Sequence, residues 1–475
     1  MKLEKIIIQL KEKDYQLLCD QLIANKGDKY LQLLDLYRKN SFSEKEIQAQ
    51  LEIKPAAFYT LKSRLYDKVQ EFLYKGISDT RIELLRNVGN IEYLIYKTPK
   101  ETATGILQKL ETELIKNDMP NELVMVYKAL KKLHVYSQKY YDYEQLYNKY
   151  VAYNLAQDKA EEVLSTYCRV LMMYYASRDR KLLDILILYK REVQNLCRIH
   201  QSHRLTVYKN ILDIHFALFS PVQDELKNDP TIEDLLKETY TILETHTQDP
   251  TYIHMVSALH FLSFEYYHQL RLYKNAAAYY EKLTDEGNAI LLYNHTCFSI
   301  HFLISKIEWN HANNSLENIL TDELPDYSPI EENTVERIIF MQYCAAINFY
   351  AGNFSKGTAT LNSLINEVSF KDMLHLEIET KLFLILLLLL SEKLDLAETT
   401  LRSISRKIPE ADEIKHHTAM LFIKFFKTAL TNKVSNKLEK LKDIEKLISV
   451  TNNGPDKILG FLFLQPAHLL RLSKL

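Results

Sequence analysis

The sequence predicts an all-α protein, a right-handed α-solenoid of antiparallel helix hairpins, and three observations predict it. Glycine (9) and proline (11) are scarce in 475 residues, no low-complexity linker interrupts the chain, and few stretches alternate as a β-strand would. Apolar residues recur three and four apart almost throughout. In residues 251–286, Met255, Leu259, Leu262 and Tyr266 form one stripe, and Ala276, Tyr279, Tyr280 and Leu283 form a second. One hairpin cannot bury both stripes alone, so neighbours of the same kind must stack on it into a continuous core. A chain of this length exceeds the usual single core, which fits the same reading.

Taken in order, residues 1–90 read as a helical bundle of helix-turn-helix type. A first helix over 3–24 carries Leu3, Ile6, Ile7, Leu10, Leu17 and Leu18 on one side and stops at 25–27. The next, over 29–37, turns Leu31, Leu34 and Tyr37 inward. Ser43 and Glu46 form a capping box ahead of Ile47 and Leu51, and a turn through 52–54 leads to Pro55, which suits the first position of a helix over 55–74. Residues 91–475 read as hairpins. The expected pairs are 123–136 with 143–156, 163–175 with 182–197, 205–218 with 232–243, the hairpin 251–286, and 290–304 with 312–320. There follow 335–350 with 354–365, 374–390 with 394–404, and 420–430 with 434–447. A terminal helix containing Phe461, Leu464 and Leu470 is expected to close the open end.

Three inter-helix turns share a pattern: QLRLYKNA at 269–276, YAGNFSKG at 350–357 and LSEKLDLA at 390–397. They resemble the turn of tetratricopeptide repeats. In that family a small residue sits where the second helix crosses the first, and Ala276, Gly357 and Ala397 match it. Pro409, twelve residues after Ala397, corresponds to the proline that closes a repeat. The tryptophan and glycine of the family's first helix are absent from most units, and the pitch is about forty residues against about thirty-four, a spacing shared with HEAT-like arrays. The resemblance covers roughly residues 120–450 and implies a protein or peptide ligand on the concave face.

The bundle carries the sharpest sign of a second activity. On the helix starting at Pro55, Phe58, Leu61, Leu65, Val69 and Phe72 share one face, which leaves Tyr59, Thr60, Ser63 and Arg64 near the outer side of its N-terminal half, where a recognition helix reads base edges. Lys54, Lys62 and Lys68 stand where they could reach phosphates. Asp67 and Glu71, further along the outward face, oppose a DNA backbone, so DNA ranks second to a protein or peptide partner. A small helical or DNA-binding unit followed by such repeats is similar in layout to the peptide-responsive regulators of Gram-positive bacteria, whose repeats bind a signalling peptide.

Other chemistry is less well supported. Lys plus Arg (60) nearly balances Asp plus Glu (62), which argues against a molecule built as a whole to bind polyanions or a membrane surface. The five cysteines are widely spaced without a CxxC, as expected for buried free thiols in a reducing compartment, and the N-terminus lacks the pattern of a signal peptide. The longest apolar run, 382–390, is too short to span a bilayer, so a soluble, cytoplasmic protein is expected. Thirty-two tyrosines suggest half-buried rings between helices. Tyr136, Tyr140, Tyr143, Tyr147 and Tyr150 step four, three, four, three, and the expectation is core packing with a turn between Gln138 and Asp142. The close histidine pairs, His200 with His203 and His416 with His417, lack a nearby cysteine or acidic third ligand. Gly352 to Thr358 has a faint phosphate-loop look but reads as a repeat turn. The close pairs Glu111 with Glu113 and Glu161 with Glu162 do not converge for acid/base work. No cofactor is expected, and an enzyme would require a pocket that brings distant residues together.

Overall fold

The computed structural model describes residues 3, 6, 7, 10, 12–24, 27–39, 44–51, 53–75, 79–220, 230–247, 249–252, 255–285, 296–316, 333–408, 416–431, 436–452 and 457–475. Every regular element among them is helical and none is a strand. None of these helices is long and apolar enough to cross a membrane. The backbone divides into two compact units, Met1–Asn154 and Leu155–Leu475, whereas sequence reading places a boundary near residue 90.

The first unit opens with α1 (Glu12–Ala24), α2 (Asp28–Lys39), α3 (Glu44–Gln50) and α4 (Pro55–Lys75). Their core includes Phe58, Leu65 and Val69, fully buried on one face of α4, packed with Leu33, Leu34, Tyr37 and Ile47. Ser43, the expected cap of α3, lies outside the described residues. A separate core forms over α5 (Asp79–Gly89), α6 (Ile91–Lys97), α7 (Lys100–Lys116), α8 (Pro120–Leu133) and the start of α9 (Lys139–Ser177). α9 corrects the expected pairing: segments 143–156 and 163–175 are one helix of 39 residues. The stretch between them, QDKAEE, holds good helix formers at every position but Asp158 and has neither glycine nor proline. The turn before α9 covers 134–138, slightly earlier than expected, and leaves Tyr136 fully exposed.

The tyrosine stripe on α9 is packing. Tyr143 is buried, Tyr147 and Tyr150 pack against the core, and Tyr150 stacks on Tyr127 with ring centroids 5.4 Å apart.

The second unit continues with α10 (Arg180–His200), α11 (His203–Phe219), α12 (Ile232–Thr245), α13 (Met255–Gln269), α14 (Tyr273–Asp285), α15 (Thr296–Ala312), α16 (Thr334–Tyr350), α17 (Phe354–Glu367), α18 (Leu374–Leu390), α19 (Leu394–Ser405), α20 (His417–Leu430) and α21 (Lys437–Thr451). α11, α13, α15, α16, α18 and α20 pack successively on one another as an inner row. α12, α14, α17, α19 and α21 each pack against the row member that precedes them.

Three of the turns between paired helices share one geometry. Arg271, Gly352 and Glu392 adopt left-handed φ of 59°, 73° and 61°. The next amide then donates to a carbonyl five residues back: Leu272 to Tyr267 (2.9 Å), Asn353 to Asn348 (2.8 Å) and Lys393 to Leu388 (2.9 Å). This closes the first helix with the same left-handed turn each time. Asn314, after α15, repeats it, with Ser315 donating to Asn310 (2.8 Å). Ala276, Gly357 and Ala397 occupy the same place after each turn, and all three are buried. A methyl on Gly357 would meet Leu387 Cδ1 at 3.1 Å, so the second helix crosses the row closely there. Pro409 lies outside the described residues.

The end of the chain departs from expectation. Phe461 and Leu464 are not helical; residues 457–464 form a non-helical strap, and the last helix, α22 (Pro466–Ser473), begins at a proline that cannot sit inside a helix. α22 packs against α18 and α21.

Candidate functional site

The inner row differs from an ordinary amphipathic helix layer. α18 buries 15 of its 17 residues, and α13 buries Met255 and a continuous run from Ser257 to Glu265. A helix apolar all round belongs in the middle of a structure. Charged and polar side chains that interrupt such helices therefore face either a neighbouring helix or an internal space.

Several of them face a space. A cavity of about 930 Å³ in the second unit is lined by the inner row, by Tyr175 on α9 and Arg178 just after it, by parts of α20 and α21, and by the strap. Its polar lining includes Glu265 and His268 from α13, His301, Ser305 and Glu308 from α15, Gln342 from α16, and His375 and Glu379 from α18. Its apolar lining includes Phe219, Phe422, Phe425, Phe426 and Phe461.

Glu265 is 3% exposed, and its Oε1 has no hydrogen-bond partner among the described residues. Burial pushes its carboxyl up to about 7; Ser305, Gln269 and Lys457 pull the other way, while Glu308 adds to the rise. His301 is 4% exposed, and neither ring nitrogen has a partner among the described residues. Its ring lies between Phe219 (4.6 Å) and Tyr175 (4.8 Å). Burial, helped by the charge of Arg178, pushes its pKa down to about 3, so it stays neutral. His268 is likewise held neutral, lowered to about 4 by burial and then by Lys457.

The strap is held by the row it lies on. Glu379 Oε1 accepts the Leu459 amide (2.7 Å). The Tyr350 hydroxyl donates to the Phe461 carbonyl (2.6 Å) and accepts from the Phe463 amide (3.1 Å). Lys457 pairs with Glu308 (3.1 Å), Phe463 stacks on His311 (3.6 Å), and Phe461 meets Phe383 (5.8 Å). The Asn452 side chain clips the strap's start, donating to the Ile458 carbonyl (2.7 Å) and accepting its amide (2.8 Å).

Sequence reading missed Glu265, His301, Tyr350, Glu379 and the strap. One signal was available: Glu265 stands in FLSFEYY, His301 in FSIHFLI and Glu379 in LHLEIETKLFL, each a polar group inside an apolar helical run. The DNA candidates lie elsewhere, on and just before α4. Lys54, Tyr59, Thr60, Ser63 and Arg64 are exposed, with the Thr60 hydroxyl donating to the Ala56 carbonyl (3.0 Å). Lys62 is paired with Glu44 and Lys68 lies over the Tyr30 ring (5.3 Å), so both are drawn toward the bundle. Burial alone would lower the Lys62 pKa, but Glu44 and Tyr37 outweigh it and raise it.

Compared with protein-family models, curated proteins and solved structures, the chain matches none.

Proposed function

We propose that this chain is a non-enzymatic binding protein of the cytoplasm whose second unit is a right-handed tetratricopeptide-like solenoid that holds a protein or peptide segment on its inner face. The observation that carries the reading is that Glu265 Oε1 and both ring nitrogens of His301 are buried without hydrogen-bond partners among the described residues, on helices that border one cavity. Such atoms cost roughly 1–3 kcal/mol each when left unpaired, and few persist in a folded protein without a reason. A ligand that supplies a donor to Glu265 and a partner to His301 removes that cost on binding. The cavity, about 930 Å³ and mixed aromatic and polar, falls within the range of small binding sites. The recurrent turns and the buried small residues at 276, 357 and 397 support the repeat assignment. Recognition needs only these groups, with no bond made or broken.

The test is selection of peptides from a random phage-displayed library on the immobilised full chain, followed by calorimetric titration. Selected peptides are expected to bind at least tenfold more weakly to Glu265→Leu and His301→Leu. No enrichment, or affinities unmoved by both substitutions, would sink the reading.

A second reading, a DNA-binding regulator whose repeats sense the ligand, is favoured by one observation: Lys54, Tyr59, Ser63 and Arg64 stand exposed along the start of α4. Titrating the full chain with duplex DNA over a salt series tests it. Affinity falling with salt, with a shallower slope for Arg64→Ala, is the expected signature; no binding at low salt removes this reading.

A further inference from the structure

We infer that the strap at 457–464, which turns at Leu459 with a left-handed φ of 51° and a Leu462 amide donating to the Leu459 carbonyl (2.9 Å), is the groove's resident peptide, and that the natural ligand is a segment of the same chemistry and the same turn that must displace it. The proposed occupant carries a basic residue followed four and six positions later by aromatic residues, as Lys457, Phe461 and Phe463 do. This rests on the peptide-binding reading above and goes beyond it by naming the ligand's pattern and the competitor already in place.

The groove treats the strap as a binding site treats a foreign peptide. Main-chain groups are met by side chains of the inner row: the Leu459 amide by Glu379, the Phe461 carbonyl and Phe463 amide by Tyr350. Such contacts are indifferent to the peptide's sequence and fix its direction and register. Side chains supply the selectivity. Lys457 reaches Glu308, Phe461 is buried against Phe383, and Phe463 lies flat on His311. A second peptide meeting these requirements would occupy the same contacts, so the two exclude each other.

The strap is also an incomplete ligand. With it in place, Glu265 Oε1 and both nitrogens of His301 still lack partners among the described residues. An incoming segment that brings a donor for Glu265 and an amide group, which both donates and accepts, for the neutral His301 satisfies atoms the strap cannot. That difference gives it the advantage needed to shift the equilibrium from strap-in to ligand-in. Apparent affinity is then the intrinsic affinity reduced by the fraction of chains whose strap is already out.

The experiment uses the full chain and a fluorescein-labelled synthetic peptide of sequence KILGFLFL with a neutral polyethylene glycol tail, a scrambled peptide serving as control. Lys457→Glu places a negative charge beside Glu308 and Glu265 and should expel the strap. The peptide should bind Lys457→Glu at least tenfold more tightly than the unaltered chain, and Tyr350→Phe added to that variant should reverse most of the gain. Equal affinity for both chains overturns the competition while leaving peptide binding intact. Binding to neither chain overturns the ligand pattern, and the library selection then decides separately whether the groove takes peptides at all. Should Lys457→Glu fail to fold, hydrogen exchange of the unaltered chain with saturating peptide decides: lost protection at the Leu459 and Phe463 amides supports displacement, and unchanged protection refutes it.

Discussion

α18 and α19 are consecutive helices of one hairpin, yet they are built to different rules. α18 buries 15 of 17 residues and includes Glu377, Glu379 and His375 among them, whereas α19 buries only Ala397, Leu401 and Ile404 of its 12. The outer helix needs a single apolar stripe because one side faces water. The inner helix is covered on the outside by α17 and α19, and on the inside by the strap and α22. Polar groups are affordable on α19 anywhere outside its stripe, but on α18 each must find a partner or a use. The inner row is therefore where each polar group bears most directly on stability.

Four measurements sharpen the contrast, from the largest expected effect to the smallest. Leu387→Ala, at a fully buried inner position, should cost about 2–5 kcal/mol in denaturant unfolding, while Leu396→Ala, 57% exposed on the outer helix, should stay within about 0.5 kcal/mol. Equal effects would abolish the distinction. Glu265→Gln comes next. The folded carboxyl is raised from 4.5 to about 7, so the folded state holds its proton more tightly; its stability contribution is full below pH 4.5 and is lost as pH rises toward 7. The variant should match the parent near pH 4.5 and exceed it at pH 8 by up to roughly 3 kcal/mol. A difference that does not grow between those pH values contradicts the burial of this group.

Ala397→Tyr, at the crossing of α19 over the row, should overpack the contact and cost about 1–3 kcal/mol, measurable as a lower melting temperature. Arg271→Gly should do the opposite on a small scale. Arg271 holds a left-handed φ of 59°, and glycine relieves that strain, offset in part by its greater unfolded freedom, for a gain of up to about 1 kcal/mol. A loss of stability there would mean the turn depends on the arginine side chain.

Much of the helical layout was legible because local chemistry determined it. Phe58, Leu65 and Val69 announced the inner face of α4 by spacing alone, and Pro55 announced its start. The turns at 269–276, 350–357 and 390–397 were readable because each left-handed residue is local to its hairpin. α9 departs from the expected pair because a repeat pattern places a turn between 156 and 163, where the sequence holds no glycine or proline to make one. The strap could not be read at all. KILGFLFL is apolar at nearly every position and has no period to betray its backbone, while its partners Tyr350 and Glu379 lie 111 and 80 residues earlier. Glu265 and His301 were visible as polar interruptions, but which way they faced depended on helices that sequence spacing does not bring together.

The strap's bonds reach back 149 residues to Glu308, 111 to Tyr350 and 80 to Glu379, whereas the paired helices and the row touch mostly their immediate neighbours. Stacks held only by adjacent contacts are free to fray from either end. A tie from α15 through α16 to α18 joins segments that would otherwise come apart in turn, so loss of one entails loss of the rest. The second unit should thus melt in a single concerted event, and whatever draws the strap out also lets the stack come apart piecemeal.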